Sequence, residues 1–139
     1  NELISSQEVI MYREVLKLKS NLIEETEKAI KERLINYTED KQYREFFMKN
    51  LAKVLKELKA DDYILMARKK DIDKLQEDII ALAAAYKDIT ISFGNEPEDI
   101  IGGFIVENRA SKFKYDCTLL NMLKESKEEI GILVTEALR

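Results

Sequence analysis

The 139-residue sequence contains no histidine, one cysteine, one proline and four glycines. The missing histidine removes the commonest general base and the commonest metal ligand together. A lone Cys117 cannot close an internal disulfide, and no secretory leader pattern is present, so a cytoplasmic setting is the default expectation. Apolar runs stay well short of the roughly 20 residues that a membrane-spanning helix needs, so no direct membrane insertion is expected. A basic excess is missing too. With 23 Lys and Arg against 27 Asp and Glu, the net charge is −4, a poor basis for gripping nucleic-acid phosphates. The one basic cluster, Arg68, Lys69 and Lys70, runs into Asp71 and Asp73 and reads as the rim of a helix start.

What is present is charge of both signs, 36% of residues, over a 45% apolar complement. That combination describes one domain with a buried core and a mixed, solvated surface. The chain opens at Asn1 rather than methionine, which reads as a portion of a longer protein.

Residues 3–35 contain neither Gly nor Pro, and apolar side chains recur at Ile4, Met11, Val15, Leu18 and Leu22, then at Ile23, Ile30 and Leu34. These are the three-, four- and seven-residue spacings of a helix. A helix of ~33 residues is about 50 Å long, whereas a domain of ~100 residues has a radius of gyration of about 13 Å. Its N-terminal part is therefore expected to project. The stripe Ile4, Met11, Val15, Leu18 and Leu22 is expected to meet a partner helix, because each such side chain contributes roughly 1.5–3 kcal/mol when buried and a soluble monomer rarely leaves so large a patch in water. The alternative is that the helix bends back or packs against a copy of itself. Ile4 to Val15, Met11 to Leu22 and Leu18 to Ala29 are all steps of eleven, the repeat that when sustained favours a right-handed supercoil, while several of the same residues also fit heptads.

Downstream, Thr38 is expected to N-cap a second helix, with Glu39 and Asp40 in its first turn. That helix carries Tyr43, Phe46, Phe47, Leu51, Val54, Leu55 and Leu58 on one face. "YILMA" has strand length, and a third helix from about Asp71 shows Ile72, Leu75, Ile79, Leu82 and Tyr86 at spacings of three and four. "DITISFGN" alternates like a half-buried strand, so two strands flank a helix as in a parallel crossover. After a loop at Pro97, "GGFIVE" and the alternation of Phe113, Tyr115 and Cys117 with Lys112, Lys114 and Asp116 predict a hairpin. Its turn, "NRAS", would place Asn108 in the left-handed region. Thr118 would N-cap the last helix. The prediction is an α+β fold: a long N-terminal helix, residues 1–36, leading into a globular domain, residues 37–139, with a small mixed four-stranded sheet packed by helices.

No catalytic, cofactor-binding or metal-binding constellation emerges. A phosphate-binding loop is glycine-rich and feeds a helix, whereas Gly102 and Gly103 feed a strand and read as a bulge or a close approach of a helix. Cys117 has no histidine to activate it and an acidic neighbour in Asp116, so it reads as a small core side chain. The carboxylate pairs Asp61 with Asp62 and Glu128 with Glu129 read as a turn and a solvated helix face, and no hard-ion spacing is present.

The series "REVLKLKSNLIEETEKAIKERL", "YREFFMKNLAKVL" and "GGFIVENRASKFKYDCTLLNML" resembles the E subunit of the V-type and A-type rotary ATPases across essentially the whole chain. In that family a double glycine, here Gly102 and Gly103, opens a hydrophobic strand. A short turn leads into a Lys/Arg-bearing strand, and Asp-Asn-Thr-Leu or a close variant, here Asp116, Cys117, Thr118 and Leu119, starts the last helix. The sequence departs from the family at Ala110 and Ser111, where glycine and lysine are common, at Cys117, where asparagine is usual, and near Asn121, where an acidic residue often follows.

The resemblance implies a non-catalytic peripheral-stalk subunit without cofactors, cytoplasmic and peripheral to the membrane through its ATPase complex. Residues 1–36 would be the C-terminal part of a longer helix that winds around the small G subunit, called H in archaeal complexes. Residues 37–139 would sit on the catalytic head, chiefly on the noncatalytic nucleotide-binding subunit, and resist the torque of rotation. Without its partner, the isolated fragment could pair with itself as a homodimer. The alternatives are the related stator-like regulator of flagellar and type III secretion ATPases, which shares the helix-plus-domain plan, and a small α+β enzyme. Copurification separates the first, and a pocket of convergent ionisable groups would mark the second.

Overall fold

With no glycine or proline to break it, α1 runs unbroken over Glu2–Tyr37, 36 residues, or about 54 Å at 1.5 Å per residue. The computed structural model describes residues 2–138, with side chains from Ser6 onward, so Ile4 lies outside the described side chains. Four further helices follow: α2 (Gln42–Glu57), α3 (Lys69–Ala84), α4 (Leu119–Glu125) and α5 (Lys127–Ala137). The strands are β1 (Asp61–Ala67), β2 (Ile89–Phe93), β3 (Gly103–Asn108) and β4 (Lys114–Thr118), in the sheet order β2-β1-β3-β4. The fold is α+β, with a mixed four-stranded sheet, as the periodicities predict.

Parallel neighbours need a long crossover, and α3 supplies it between β1 and β2, which pair parallel from Asp61 opposite Ile89 to Leu65 opposite Phe93. β3 then pairs antiparallel with both β1 and β4. Packing divides the chain into two compact units, Arg33–Met122 and Asn1–Glu32 with Leu123–Arg139.

In the first unit the alternation of β1 puts Tyr63, Leu65 and Ala67 on a buried face, with Phe104 and Val106 of β3 beside them. The amphipathic faces of α2 (Phe47, Leu51, Leu55) and α3 (Leu75, Ile79) complete this core. Phe47 and Phe104 touch with ring centroids 5.0 Å apart. In the second unit, α5 buries Ile130 and Val134.

Four local expectations are corrected. Asp61 and Asp62, expected in a turn, open β1 instead. Thr38 does not cap α2. It closes α1 instead, its hydroxyl donating to the Ile35 carbonyl at 2.6 Å, while Asp40 Oδ1 accepts from the Gln42 amide at 2.9 Å. In the hairpin it is Lys112, at φ 63°, that takes the left-handed conformation. Asn108 stays in β3 and accepts from the Ala110 and Ser111 amides through Oδ1. The last helix is two helices, divided at Ser126. The Thr118 cap stands: its Oγ1 accepts from the Asn121 amide at 3.2 Å.

Candidate functional site

Two stripes run along α1. At roughly 100° per residue, Met11, Val15, Leu18 and Leu22 fall within an arc of about 60°. Met11, Val15 and Leu18 are 68, 53 and 50% exposed, and Leu22 is half-buried. A second stripe, centred roughly 90° away, carries Tyr12, Leu16, Lys19, Ile23, Thr26 and Ile30. Its lower part, Lys19, Ile23, Thr26 and Ile30, is half-buried. Lys19 and Ile23 line a groove with Gly131, Ile132 and Thr135, and a Cβ on Gly131 would meet only Ile23 Cδ1, at 3.8 Å. Its upper part is open, with Tyr12 and Leu16 at 65 and 45% exposure. Apolar spacing picks out the first stripe and only Ile23 and Ile30 of the lower part of the second, because Lys19 and Thr26 interrupt its pattern. Ile132 and Leu133 of α5 are also exposed.

The unit Arg33–Met122 contains a buried polar relay that spacing alone does not reveal. Asp71, 3% exposed, lies in the first turn of α3. Arg68, just before that helix, donates to both of its oxygens, Nε to Oδ2 at 2.8 Å and Nη2 to Oδ1 at 2.7 Å. Arg68 Nη1 also donates to Thr38 Oγ1 at 3.2 Å. On the other side, Tyr43 Oη donates to Asp71 Oδ2 at 2.9 Å and accepts from the Gly103 amide at 2.7 Å. One chain of hydrogen bonds thus joins the Ile35 carbonyl, in the last turn of α1, to the first amide of β3.

The electrostatics follow the geometry. The Asp71 hydrogen bond holds the Arg68 guanidinium more firmly protonated than usual, against the opposing effect of burial. Burial pushes the Tyr43 hydroxyl well above the usual tyrosine range, and the Asp71 charge adds to this while the Gly103 amide opposes it. Arg68 also lies 5.5 Å from the centroid of the Tyr43 ring. Breaking so buried a pair by removing one partner typically costs about 3–5 kcal/mol.

The motif glycines sit at the end of this relay. A Cβ on Gly102 would lie 2.7 Å from Leu119 Cδ1 and 2.8 Å from Thr38 Cγ2, and one on Gly103, at φ +80°, would lie 2.3 Å from the Cys117 carbonyl oxygen. Close helix approach, one of the two readings of this pair, is therefore what Gly102 provides, and Gly103 supplies a left-handed entry into β3. Asp116 and Thr118 start α4: Asp116 Oδ1 accepts from the Thr118 amide and hydroxyl at 3.0 and 2.6 Å. Cys117 is half-buried against the core. The groups brought together here are structural, and among the described residues no cluster of three metal-ligating side chains exists. No helix among the described residues is long and apolar enough to cross a membrane.

The sequence profile of the ATP synthase (E/31 kDa) subunit family matches residues 1–138. The chain is 36% identical over 125 residues, 89% of its length, to the E subunit (number 2) of the V-type ATP synthase of Clostridium tetani, of which it covers 60%. It is 29% identical over 133 residues to the E subunit of the V-type proton ATPase of Halothermothrix orenii, covering 91% of this chain and 66% of that one. To the E subunit of the A-type ATP synthase of Thermococcus sibiricus it is 26% identical over 141 residues, covering 98% and 68%. The chain thus spans between 60 and 68% of the length of these relatives.

Proposed function

The chain belongs to the ATP synthase (E/31 kDa) subunit family, and from that premise we propose that it serves as a non-catalytic peripheral-stalk subunit of a V/A-type rotary ATPase. In this reading residues 1–36 form the stalk helix and pair with the small helical G/H subunit. Residues 37–139 anchor the stalk to the catalytic head, chiefly to its noncatalytic nucleotide-binding subunit. The pair resists the torque that ion flow, of protons or sodium, exerts through the rotor. Its place is at the cytoplasmic face, held to the membrane through the complex.

The observation that supports the reading best is the exposed stripe Met11, Val15 and Leu18, at least half in water on each residue, continued downward by Leu22. Covering an apolar side chain contributes roughly 1.5–3 kcal/mol when exposure is complete. About half of that remains available at each of these three positions, and only another elongated apolar surface can collect it along a rod. A stalk also needs stiffness, which a helix paired along its length supplies. The relay from Ile35 to Gly103 supports the same reading, since it ties the last turn of α1 into the sheet at Gly103.

The test is substitution of Val15, Leu18 and Leu22 by aspartate in the intact chain. Three charges in an apolar seam abolish binding to the G/H subunit while the circular dichroism melt of the α+β part is retained. Undiminished binding assigns the pairing face elsewhere and removes the main support for the proposal.

A further inference from the structure

The hairpin between β3 and β4 presents a surface that folding leaves unused. Its tip, residues 109–114, carries three cations and no acid in a chain of net charge −4. None of Arg109, Lys112 and Lys114 forms a salt bridge among the described residues. Between two of them Phe113 stands 62% exposed, edge-to-face with Tyr115 at a centroid distance of 5.2 Å.

The tip is rigid. Asn108 Oδ1 accepts from the Ala110 and Ser111 amides at 3.0 and 2.9 Å. The Asn108 carbonyl accepts from the Lys112 amide at 3.0 Å, and its amide donates to the Phe113 carbonyl at 2.9 Å. Asn108 Nδ2 donates to Asp61 Oδ2 at 3.0 Å, and the Arg109 amide to the Asp62 carbonyl at 3.0 Å. Asp61 is thereby committed to holding the turn. Lys112, at φ 63°, keeps a backbone conformation that side chains other than Asn and Asp seldom adopt. A preorganised aromatic among cations loses little freedom on binding, which is how anchors of protein interfaces gain affinity.

β4 is also an edge strand. Because the Asn108 amide bonds to the Phe113 carbonyl, antiparallel alternation turns the backbone of residues 113, 115 and 117 toward β3 and that of Lys114 and Asp116 outward. Asn121 Nδ2 takes the Asp116 carbonyl at 3.1 Å, which leaves Lys114 as the pairing position. Glu107, opposite Lys114 in the ladder, keeps the strand itself mixed in charge, so an acidic complement is called for at the tip.

We propose that this hairpin docks an extended acidic segment of a protein partner. An apolar side chain of that segment rests on Phe113 and Tyr115, its carboxylates meet Arg109, Lys112 and Lys114, and its backbone pairs at Lys114. Lipid surfaces are usually gripped by clusters of about 4–8 cations, more than this tip offers, and the acidic chain repels nucleic acid. The proposal rests on the reading of residues 37–139 as the head-anchoring part, and it names the contact.

The test uses the intact chain and, as probe, the catalytic head of the cognate rotary ATPase stripped of stalk subunits, with binding measured at low and high salt. Phe113→Ala weakens binding by roughly ten-fold or more, as expected of an aromatic anchor. The pair Lys112→Glu and Lys114→Glu weakens it more at low salt than at high, and the thermal melt is unchanged in each case. Equal binding by wild type and both variants overturns the hairpin assignment and leaves the stalk reading standing. If the wild-type chain itself ignores the head, both fail. Hairpin-dependent adsorption to phosphatidylserine-rich vesicles, with no head binding, assigns the patch to lipid and also overturns the proposal.

Discussion

Replacing Tyr43 by phenylalanine removes one oxygen and nothing else from the centre of the buried relay. The ring keeps its edge contacts with Tyr37 and Phe47, at centroid distances of 6.1 and 6.2 Å, so packing is held constant. What is lost is a hydrogen bond to the charged Asp71, worth about 1.5–3 kcal/mol, and the acceptor for the buried Gly103 amide, whose orphaning costs about 1–3 kcal/mol. A total of about 3 kcal/mol is the conservative sum. With an unfolding entropy of about 2.1 cal/mol/K per residue, a chain of this size loses about 10 °C in Tm. The assay is urea and thermal unfolding of both proteins as a function of pH. The folded Tyr43 pKa is raised, so the folded state keeps this proton longer than the unfolded chain does. Its contribution is fully present below the unfolded value near about 10 and is lost as pH climbs toward the folded value. The stability gap between wild type and variant therefore narrows above that pH, while the unfolded tyrosines common to both proteins cancel. A variant within about 1 kcal/mol of wild type, with an unchanged alkaline limb, would refute the relay as a stabilising device.

Two glycines should respond oppositely to alanine: Gly103→Ala, driven toward the Cys117 carbonyl at positive φ, loses about 2–4 kcal/mol. Gly131→Ala, whose Cβ has room beside Ile23, gains about 0.5–1 kcal/mol, and the urea midpoints report both. Arg68→Met and Asp71→Leu each cost about 3–5 kcal/mol, but the double variant costs far less than their sum, which a double-mutant cycle measures. Arg44→Ala, breaking a pair with Asp78 whose side chains are 63 and 40% exposed, shifts stability by less than about 0.5 kcal/mol and not at all in high salt.

The elements were legible because their periodicities are clean: α2 repeats Tyr43, Phe47 and Leu51 every fourth residue, and β1 alternates. The parallel crossover followed from strand, helix and strand in order. Thr38 misled because a threonine beside a helix end looks the same in sequence whether its oxygen accepts from amides or donates to the carbonyl three residues back. The relay was invisible because Tyr43 and Asp71 are 28 residues apart and Tyr43 already fitted an apolar stripe. Lys19 and Ile23 share a groove with Gly131 and Thr135 of α5, about a hundred residues downstream, so the sequence around Lys19 gave no hint that it is half-covered. At Ser126 the sequence "ESKEE" has neither Gly nor Pro to announce the division between α4 and α5.

What the stalk reading asserts most directly is company: this chain lives in a rotary complex, bound at one end by a rod and at the other by the head. Native mass spectrometry of assemblies captured through a tag on the chain, in its own cells, measures that company. The account predicts a particle holding the nucleotide-binding head subunits and one small, wholly helical subunit. Recovery of the chain as a lone monomer, or with an export ATPase in place of an ion-translocating one, would contradict it.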